Sequence, residues 1–343
     1  MHTVLISSPH SIPWYRQFPG GEAVWEGWRF LFNDDQGAGY DYLIAFEDLE
    51  KAVEPKCPRA NTIHVAAEPP SIRRYNRHYL NQFGIALAVD PEVVHAHAIH
   101  TQPAINWFIG WDSSLGGAPG AMSFREIEAL FDQPKSKLIS VIASNKSGSA
   151  GHRKRLAFAQ RLKEHFGDRI DFYGRGFTPM VDKLDALKDY RFHVVLENSQ
   201  QPHYFTEKMS DCVMAGCYPL YWGCTNLEDY LPSDAFRAID IDDFEKSIAV
   251  IEEAISSNAD VAHRDALREA RRRIMYEHNL FPMLKRILSA HAAGEFGDTT
   301  PRISYGEALQ PLTSKLFKKR VGVLRRFCAR GRVWFRGVLG RGQ

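Results

Sequence analysis

Cysteine is scarce in this chain, with five residues in 343 (Cys57, Cys212, Cys217, Cys224 and Cys328). None of them forms a Cys-x-x-Cys pair or a Cys/His set at ligand spacing, which argues against a zinc module and against a disulfide framework. Cys212, Cys217 and Cys224 crowd one stretch, where they read as small buried apolar residues on a helix and the strand after it. Unpaired thiols fit a reducing, cytoplasmic compartment. Long apolar runs are missing too: no segment approaches the roughly 18 uninterrupted residues that a membrane-spanning helix needs. The first residues, MHTVLISSPHSIPW, lack a basic stretch followed by an apolar core, so a secretory signal is not expected. There is no Walker A loop and no Gly-x-Gly-x-x-Gly. Acids are absent from the last 33 residues, which carry ten bases, so the preceding 310 hold 33 bases against 41 acids, a net of −8. An acidic globule with a basic tail is a two-part molecule, and the tail asks for an anionic partner.

What is present is an alternation of short apolar runs and helical patterns, the layout of an α/β protein with parallel sheets. A chain of 343 residues is comfortable for two such domains. The expected division is an acceptor-side α/β domain over 1–130, a nucleotide-binding α/β domain over 131–290, and a connector with a basic tail over 291–343. In the first domain VLIS, YDYLIAF, TIHVAAE and IALAVDP read as strands, and PPSIRRYNRHYLNQFG reads as a helix closed by Gly84. Glu68 stands at the carboxyl end of its strand, where ligands gather in such sheets. Trp14, Tyr15, Trp25 and Trp28 fit either a packed core or a sugar-stacking platform. His95, His97 and His100 have no carboxylate or Cys at ligand spacing, so no metal site is expected there.

In the second domain the strand KLISVIAS runs into a Gly/Ser loop and the basic helix start Lys146, Arg153, Lys154, Arg155. That order is a phosphate cradle in outline, with cations suited to a diphosphate. The stretch 191–223 then gives strand, loop, helix and strand. FHVVLEN is the first strand, Thr206 is an N-cap candidate, Glu207 lies in the first helical turn, and Gly216 follows the last. Glu197, Asn198, Ser199, Tyr204, Thr206, Glu207 and Lys208 cluster at its mouth. A Glu there can accept from both ribose hydroxyls and a neighbouring Lys can neutralise phosphate. The Asp-x-Asp at 240–242 reads as the end of a strand and the acidic first turn of a helix. Residues 259–290 are patterned as helix, and 291–310 as a loose connector. The tail, with Leu316, Phe317, Val321, Leu324, Phe327, Trp334 and Phe335 among its bases, reads as an interfacial segment for anionic lipid, with a nucleic-acid arm as the rival. Its aliphatic content favours the membrane, and nucleic acid is not expected as a partner.

Two α/β domains with a nucleotide diphosphate in the second are the plan of the glycosyltransferase-B fold. The stretch Glu197-Asn198-Ser199, Tyr204-Phe205-Thr206-Glu207-Lys208, Pro219 and Gly223 resembles the donor motif of the α1,3/α1,4-fucosyltransferase family. SNKSGSAGHRKRL, RIDFYGRG and AIDIDDFEKSI resemble further segments of that family, WEGWRFLFND and YDYLIAFEDL its early segments, and the basic amphipathic tail the membrane-associating end of its bacterial members. The resemblance implies two Rossmann-like domains and an inverting transfer of fucose from GDP-fucose to a hydroxyl of an acceptor glycan, as in surface polysaccharide or lipopolysaccharide synthesis. It places the base on Glu68. It places donor binding on Asn145, Arg155 (with Arg153 as fallback), Glu197, Asn198, Tyr204, Thr206, Glu207 and Lys208. It implies no metal and no cofactor beyond the donor, and a cytoplasmic protein peripheral on the inner face of the membrane. Two alternatives remain: transfer from another nucleotide sugar, and an inactive membrane-bound glycan-binding scaffold.

Overall fold

The structure, a computed structural model, describes residues 1–112, 120–144, 150–301, 306–314 and 317. The first half builds one sheet from β1 (His2–Ser7), β2 (Val24–Trp25), β3 (Trp28–Phe32), β4 (Tyr42–Phe46), β5 (Thr62–Val65), β6 (Ile85–Ala88) and β7 (Ala98–His100). Among the described residues the strand order is β2-β3-β1-β4-β5-β6-β7, parallel throughout except for the β2–β3 hairpin. Every residue of β4, β5 and β6 is buried. β4 (YLIAF) and β6 (IALA) are accordingly continuous apolar runs, as parallel strands covered on both faces favour, whereas β5 (TIHV) buries Thr62 and His64 among its apolar residues. Two short helices belong to this half, α1 (Arg77–Leu80) between β5 and β6 and α2 (Phe124–Ala129) after β7.

The second sheet comprises β8 (Lys137–Ile142), β9 (Ile170–Tyr173), β10 (Tyr190–Gln201), β11 (Tyr218–Cys224) and β12 (Arg237–Ala238), all parallel in the order β12-β11-β10-β8-β9. Helices α3 (Ala150–Phe166) and α5 (Phe244–Ser256) cover one face, with Phe158, Leu162, Phe244 and Ile251 against Val141, Val194 and Leu220. The other face carries α4 (Glu207–Met214) and continues through α7 (Arg264–Tyr276), which follows the short α6 (Ala259–Ala262). Helix α8 (Leu280–Ala292) follows.

Three sequence expectations are corrected. The helix expected over 69–84 shrinks to α1, capped by Asn76 accepting from the Tyr79 N–H. Pro69 and Pro70 withhold donors, the Pro69 carbonyl is taken in a turn by Ile72 and Arg73, and the side chains of Arg73 and Tyr75 are drawn to Glu47 and Asp48. The helical stretch 259–290 is three helices, interrupted at His263 and at Asn279, which caps α8. Divided by contacts, α8 lies with the first sheet rather than the second: Phe281 packs tilted against Phe18 and edge-on to Phe30, and Tyr42 bonds His291. The connector is docked there too, with Leu309 bridged to Val53 and Phe317 edge-on to Tyr79. The rest of the basic tail, 318–343, lies outside the described residues.

Candidate functional site

Two adjoining cavities open where the carboxyl ends of the two sheets face each other. The larger, about 570 Å³, is lined from the first half by Glu47, Glu68, Arg73 and Asn106 and from the second by Asn198, Tyr204, Thr206, Glu207 and Lys208. The other, about 410 Å³, is lined by Ser144, Arg155, Lys183, His193, Asn198, Glu207, Lys208 and Asp211. Chain crossing thus brings Glu68 and the 197–208 cluster, far apart in sequence, into one cleft.

On the second-half side, β10 delivers Glu197 at zero exposure. Its Oε1 accepts the Thr206 N–H at 2.8 Å, and its Oε2 accepts the Thr206 hydroxyl at 2.7 Å and Lys208 Nζ at 3.3 Å. Thr206 is the N-cap of α4, extended at φ −126°, and its hydroxyl oxygen accepts from the Lys208 N–H and Nζ. Glu197 is therefore a brace beneath the site rather than a wall of it. Burial raises its proton affinity, and Lys208 opposes that rise. Lys208 Nζ also meets Glu207 Oε1 at 3.3 Å, and Glu207 meets Lys183 Nζ at 3.1 Å. Burial alone would push Glu207 up, but Lys183 and Lys208 together hold it well below the usual carboxylate range, and the two glutamates keep Lys208 above the usual ammonium value against its own burial. Gly223 on β11 has no room for a side chain: a Cβ there would sit 2.4 Å from Glu197 Cγ.

Arg155 projects from α3 into the smaller cavity. Its Nη1 makes a long 3.5 Å contact with the Leu196 carbonyl, and its Nε is buried with no acceptor in reach. A guanidinium held this way has donors to spare for an anion. Burial lowers its pKa, with Glu197 pulling the other way. Arg153, the fallback for the same role, is exposed on α3, and Asn145 lies outside the described residues. Tyr204 is buried against the larger cavity; burial, then the charge of Glu197, lifts its hydroxyl pKa.

On the first-half side, Glu68 follows β5. Burial pushes its pKa up to about 7, with the Glu47 charge adding to the rise and Lys208 opposing it. Such a carboxyl can exchange a proton near neutrality.

Residues 132–260 match the family profile of the glycosyltransferase family 10 (fucosyltransferase) C-terminal domain. The family 10 segment contains β8 to β12, α3 to α5 and the whole 197–208 cluster. Among its relatives is the 3-galactosyl-N-acetylglucosaminide 4-alpha-L-fucosyltransferase of Bos taurus, 34% identical over 125 residues, 35% of this chain and 32% of that protein. A second is the 4-galactosyl-N-acetylglucosaminide 3-alpha-L-fucosyltransferase of Homo sapiens, 33% identical over 116 residues, 32% of this chain and 30% of that protein. The aligned part thus spans about a third of the length of these curated relatives. In fold, the chain is similar to an alpha-glucosyltransferase solved with UDP and a 13-mer DNA, at TM-score 0.51 and 10% identity, covering 84% of this chain and 100% of that one. A crystal structure of alpha1,3-fucosyltransferase aligns at TM-score 0.49 and 17% identity over 78% of this chain and 80% of that one. Two parallel-sheet α/β units facing across a cleft are the glycosyltransferase-B fold.

Three residues of the site carried no sequence signal strong enough to single them out. Lys183 lies on a short 3-10 turn, Lys183–Ala186, and bonds both Glu207 and Asp211 Oδ2, the latter at 3.2 Å. Asp211 is buried one turn after Glu207 on α4, and burial raises its pKa to about 6. A Glu-x-x-x-Asp repeat at helical spacing before a small-residue run was the available hint. The third, Glu47, lies outside the family 10 segment. The aromatic cluster resolves mostly as core, with Trp14, Trp25 and Trp28 buried and Tyr15 exposed. His95 donates from Nε2 to the Phe83 carbonyl, and among the described residues no cluster of His, Cys, Asp and Glu is arranged to hold a metal. Asp240 and Asp242 do structural work: the Asp240 N–H and carbonyl both bond Ser247, and Asp242 pairs with Lys154.

Proposed function

We propose that the protein is an inverting glycosyltransferase that moves fucose from GDP-fucose to a hydroxyl of an acceptor glycan in α1,3 or α1,4 linkage. The observation that carries this reading is the single cleft in which Glu68 faces Lys208 and Glu207, with the under-bonded Arg155 in the adjoining cavity. The family 10 segment and the relatives' names support fucose as the sugar and a galactosyl-N-acetylglucosaminide as an acceptor class. In this reading Glu68 takes the proton of the acceptor hydroxyl as that oxygen attacks the anomeric carbon. The bond from that carbon to the diphosphate breaks, and Arg155 and Lys208 meet the charge that develops on the leaving group. Glu207, kept ionised by two lysines, receives ribose hydroxyls, and Tyr204 and Asn198 shape the donor pocket.

A thermal-shift panel of GDP, UDP, CDP and ADP tests the donor. GDP should stabilise selectively, and UDP-selective stabilisation would replace GDP-fucose in the reading. Glu68→Gln should abolish transfer to N-acetyllactosamine while GDP still binds; intact turnover would remove Glu68 from the base role.

We further propose that the basic tail holds the protein on an anionic membrane surface, cytoplasmic and peripheral, where surface polysaccharide or lipopolysaccharide is assembled. Ten bases interleaved with Leu, Val, Phe and Trp support this. The full chain should sediment with phosphatidylglycerol vesicles and release in high salt, whereas a chain ending at residue 317 should not sediment.

A further inference from the structure

Glu47 stands one residue past the end of β4, beside the strand that leads to Glu68. Phe46 pairs with Val65, and the Glu47 N–H donates to the Val65 carbonyl, so the two chains still run together where the sheet ends. At that point Glu47 adopts φ +64°, a left-handed backbone uncommon for a residue with a long side chain. Its side chain is 5% exposed. Oε1 accepts the Ala67 N–H at 2.5 Å and the Glu68 N–H at 2.9 Å. Oε2 accepts the Tyr75 hydroxyl at 2.8 Å and lies 3.5 Å from Arg73 Nη1, whose neighbouring Nη2 bonds Asp48 at 2.8 Å. Four donors from the one stretch 67–75 thus converge on one carboxylate, and two of them are the backbone of the loop that presents Glu68. Unusual backbone geometry of this sort persists only where the surroundings over-determine it.

We propose that Glu47 is the positioning residue for Glu68: its carboxylate grips the Glu68 loop by two backbone N–H groups and supplies the negative charge that faces the Glu68 carboxyl. The inference rests on the reading of Glu68 as the base for its catalytic consequence, though not for its structural content. The charges acting on Glu68 come from both sides of the cleft, Glu47 from just past β4 and Lys208, Glu207 and Glu197 from the second half, with Arg73 and Tyr204 lining the same cavity. Glu47 is the largest charge among them in its effect on Glu68, after burial itself. It differs from the Glu197 brace in acting on the acceptor side rather than the donor side.

The decisive measurement is the titration of the Glu68 side-chain carboxyl by ¹³C NMR in Glu-labelled protein, assigned by its disappearance in Glu68→Gln. In the parent protein it should titrate near 7, and in Glu47→Gln it should move down by about one pH unit as the facing charge is removed. The acidic limb of kcat/KM for GDP-fucose and N-acetyllactosamine should move down with it. Glu47→Asp keeps the charge but falls one methylene short of the N–H groups. It should lower kcat at least tenfold without moving the limb downward, and GDP affinity should stay within about twofold in both variants. A Glu68 titration unmoved in folded Glu47→Gln overturns the proposal. Turnover surviving Glu68→Gln, with the titration still shifted by Glu47→Gln, instead removes the base reading and leaves the electrostatic link standing.

Discussion

Glu68 is kept from ionising by the same burial and negative surroundings that tune it, and this has a price in stability. Its folded pKa of about 7 lies above the usual carboxylate value of 4.5, so between those limits the native state binds more protons than the unfolded chain. Stability from this group is complete below 4.5 and is lost as pH rises through 7. Glu68→Gln should therefore raise stability at pH 8 by roughly 1–2 kcal/mol, allowing for its partial exposure, with the gain vanishing towards pH 4.5. Urea unfolding at both pH values would show it; an equal gain at both would point to packing instead. Lys208 is the opposite case. Lys208→Met leaves Glu197 buried beside a hydrophobic side chain, and the expected loss is about 3 kcal/mol, read from the urea midpoint, along with GDP binding. Residues of this kind were legible when they sat in a dense motif, as Thr206, Glu207 and Lys208 do. Glu47 and Lys183 were not, because each is an isolated charge in sequence and gains meaning only from partners brought to it by folding.

At the level of elements, the β10–α4–β11 unit works because three backbones come close together around Glu197. Gly223 marks the closest approach. A methyl group there would stand 2.4 Å from Glu197 Cγ and 2.5 Å from the Tyr221 hydroxyl oxygen, both inside a packed strand pair. Gly223→Ala should lower the melting temperature by several degrees, a cost of about 1–3 kcal/mol, and weaken GDP binding with it. Unchanged GDP affinity would mean that the brace is not what holds Lys208 and Thr206 in place. The strands of this unit were readable from apolar runs and β-branched residues, and α4 from its cap and its closing Gly216. The helix expected after Glu68 was realised only over Arg77–Leu80, because tertiary partners at Glu47 and Asp48 outcompeted the local helical preference of 71–76.

For the whole molecule, the decisive element is α8, which leaves the second half and seals the first. Phe281 inserts among Phe18, Phe30 and Phe32, and Asn279 accepts from Gln17 Nε2 while donating to the Gln17 carbonyl. This return joins the two halves in one apolar cluster that runs from β1 to α7. Phe281→Ala should cost about 3–5 kcal/mol and show as one earlier unfolding transition, since the cavity opens at the seam between the halves. Two well-separated transitions with the second unchanged would mean that the halves are energetically independent.

By itself the sequence determined the parallel α/β plan, because strands buried on both faces must be continuous apolar runs and their connections must supply helices. It also determined the donor-side motif, since cap, carboxylate and lysine lie within twelve residues of one another. Only the tertiary structure decided that Glu68 shares a cleft with that motif, that Glu197 braces rather than lines it, and that Glu47 and Lys183 belong to the site. The first of these depends on which strand ends face each other across the cleft, set by chain crossing over more than a hundred residues; the others join residues only 9 to 28 apart, whose meeting follows from the path of the backbone rather than from helical or strand spacing.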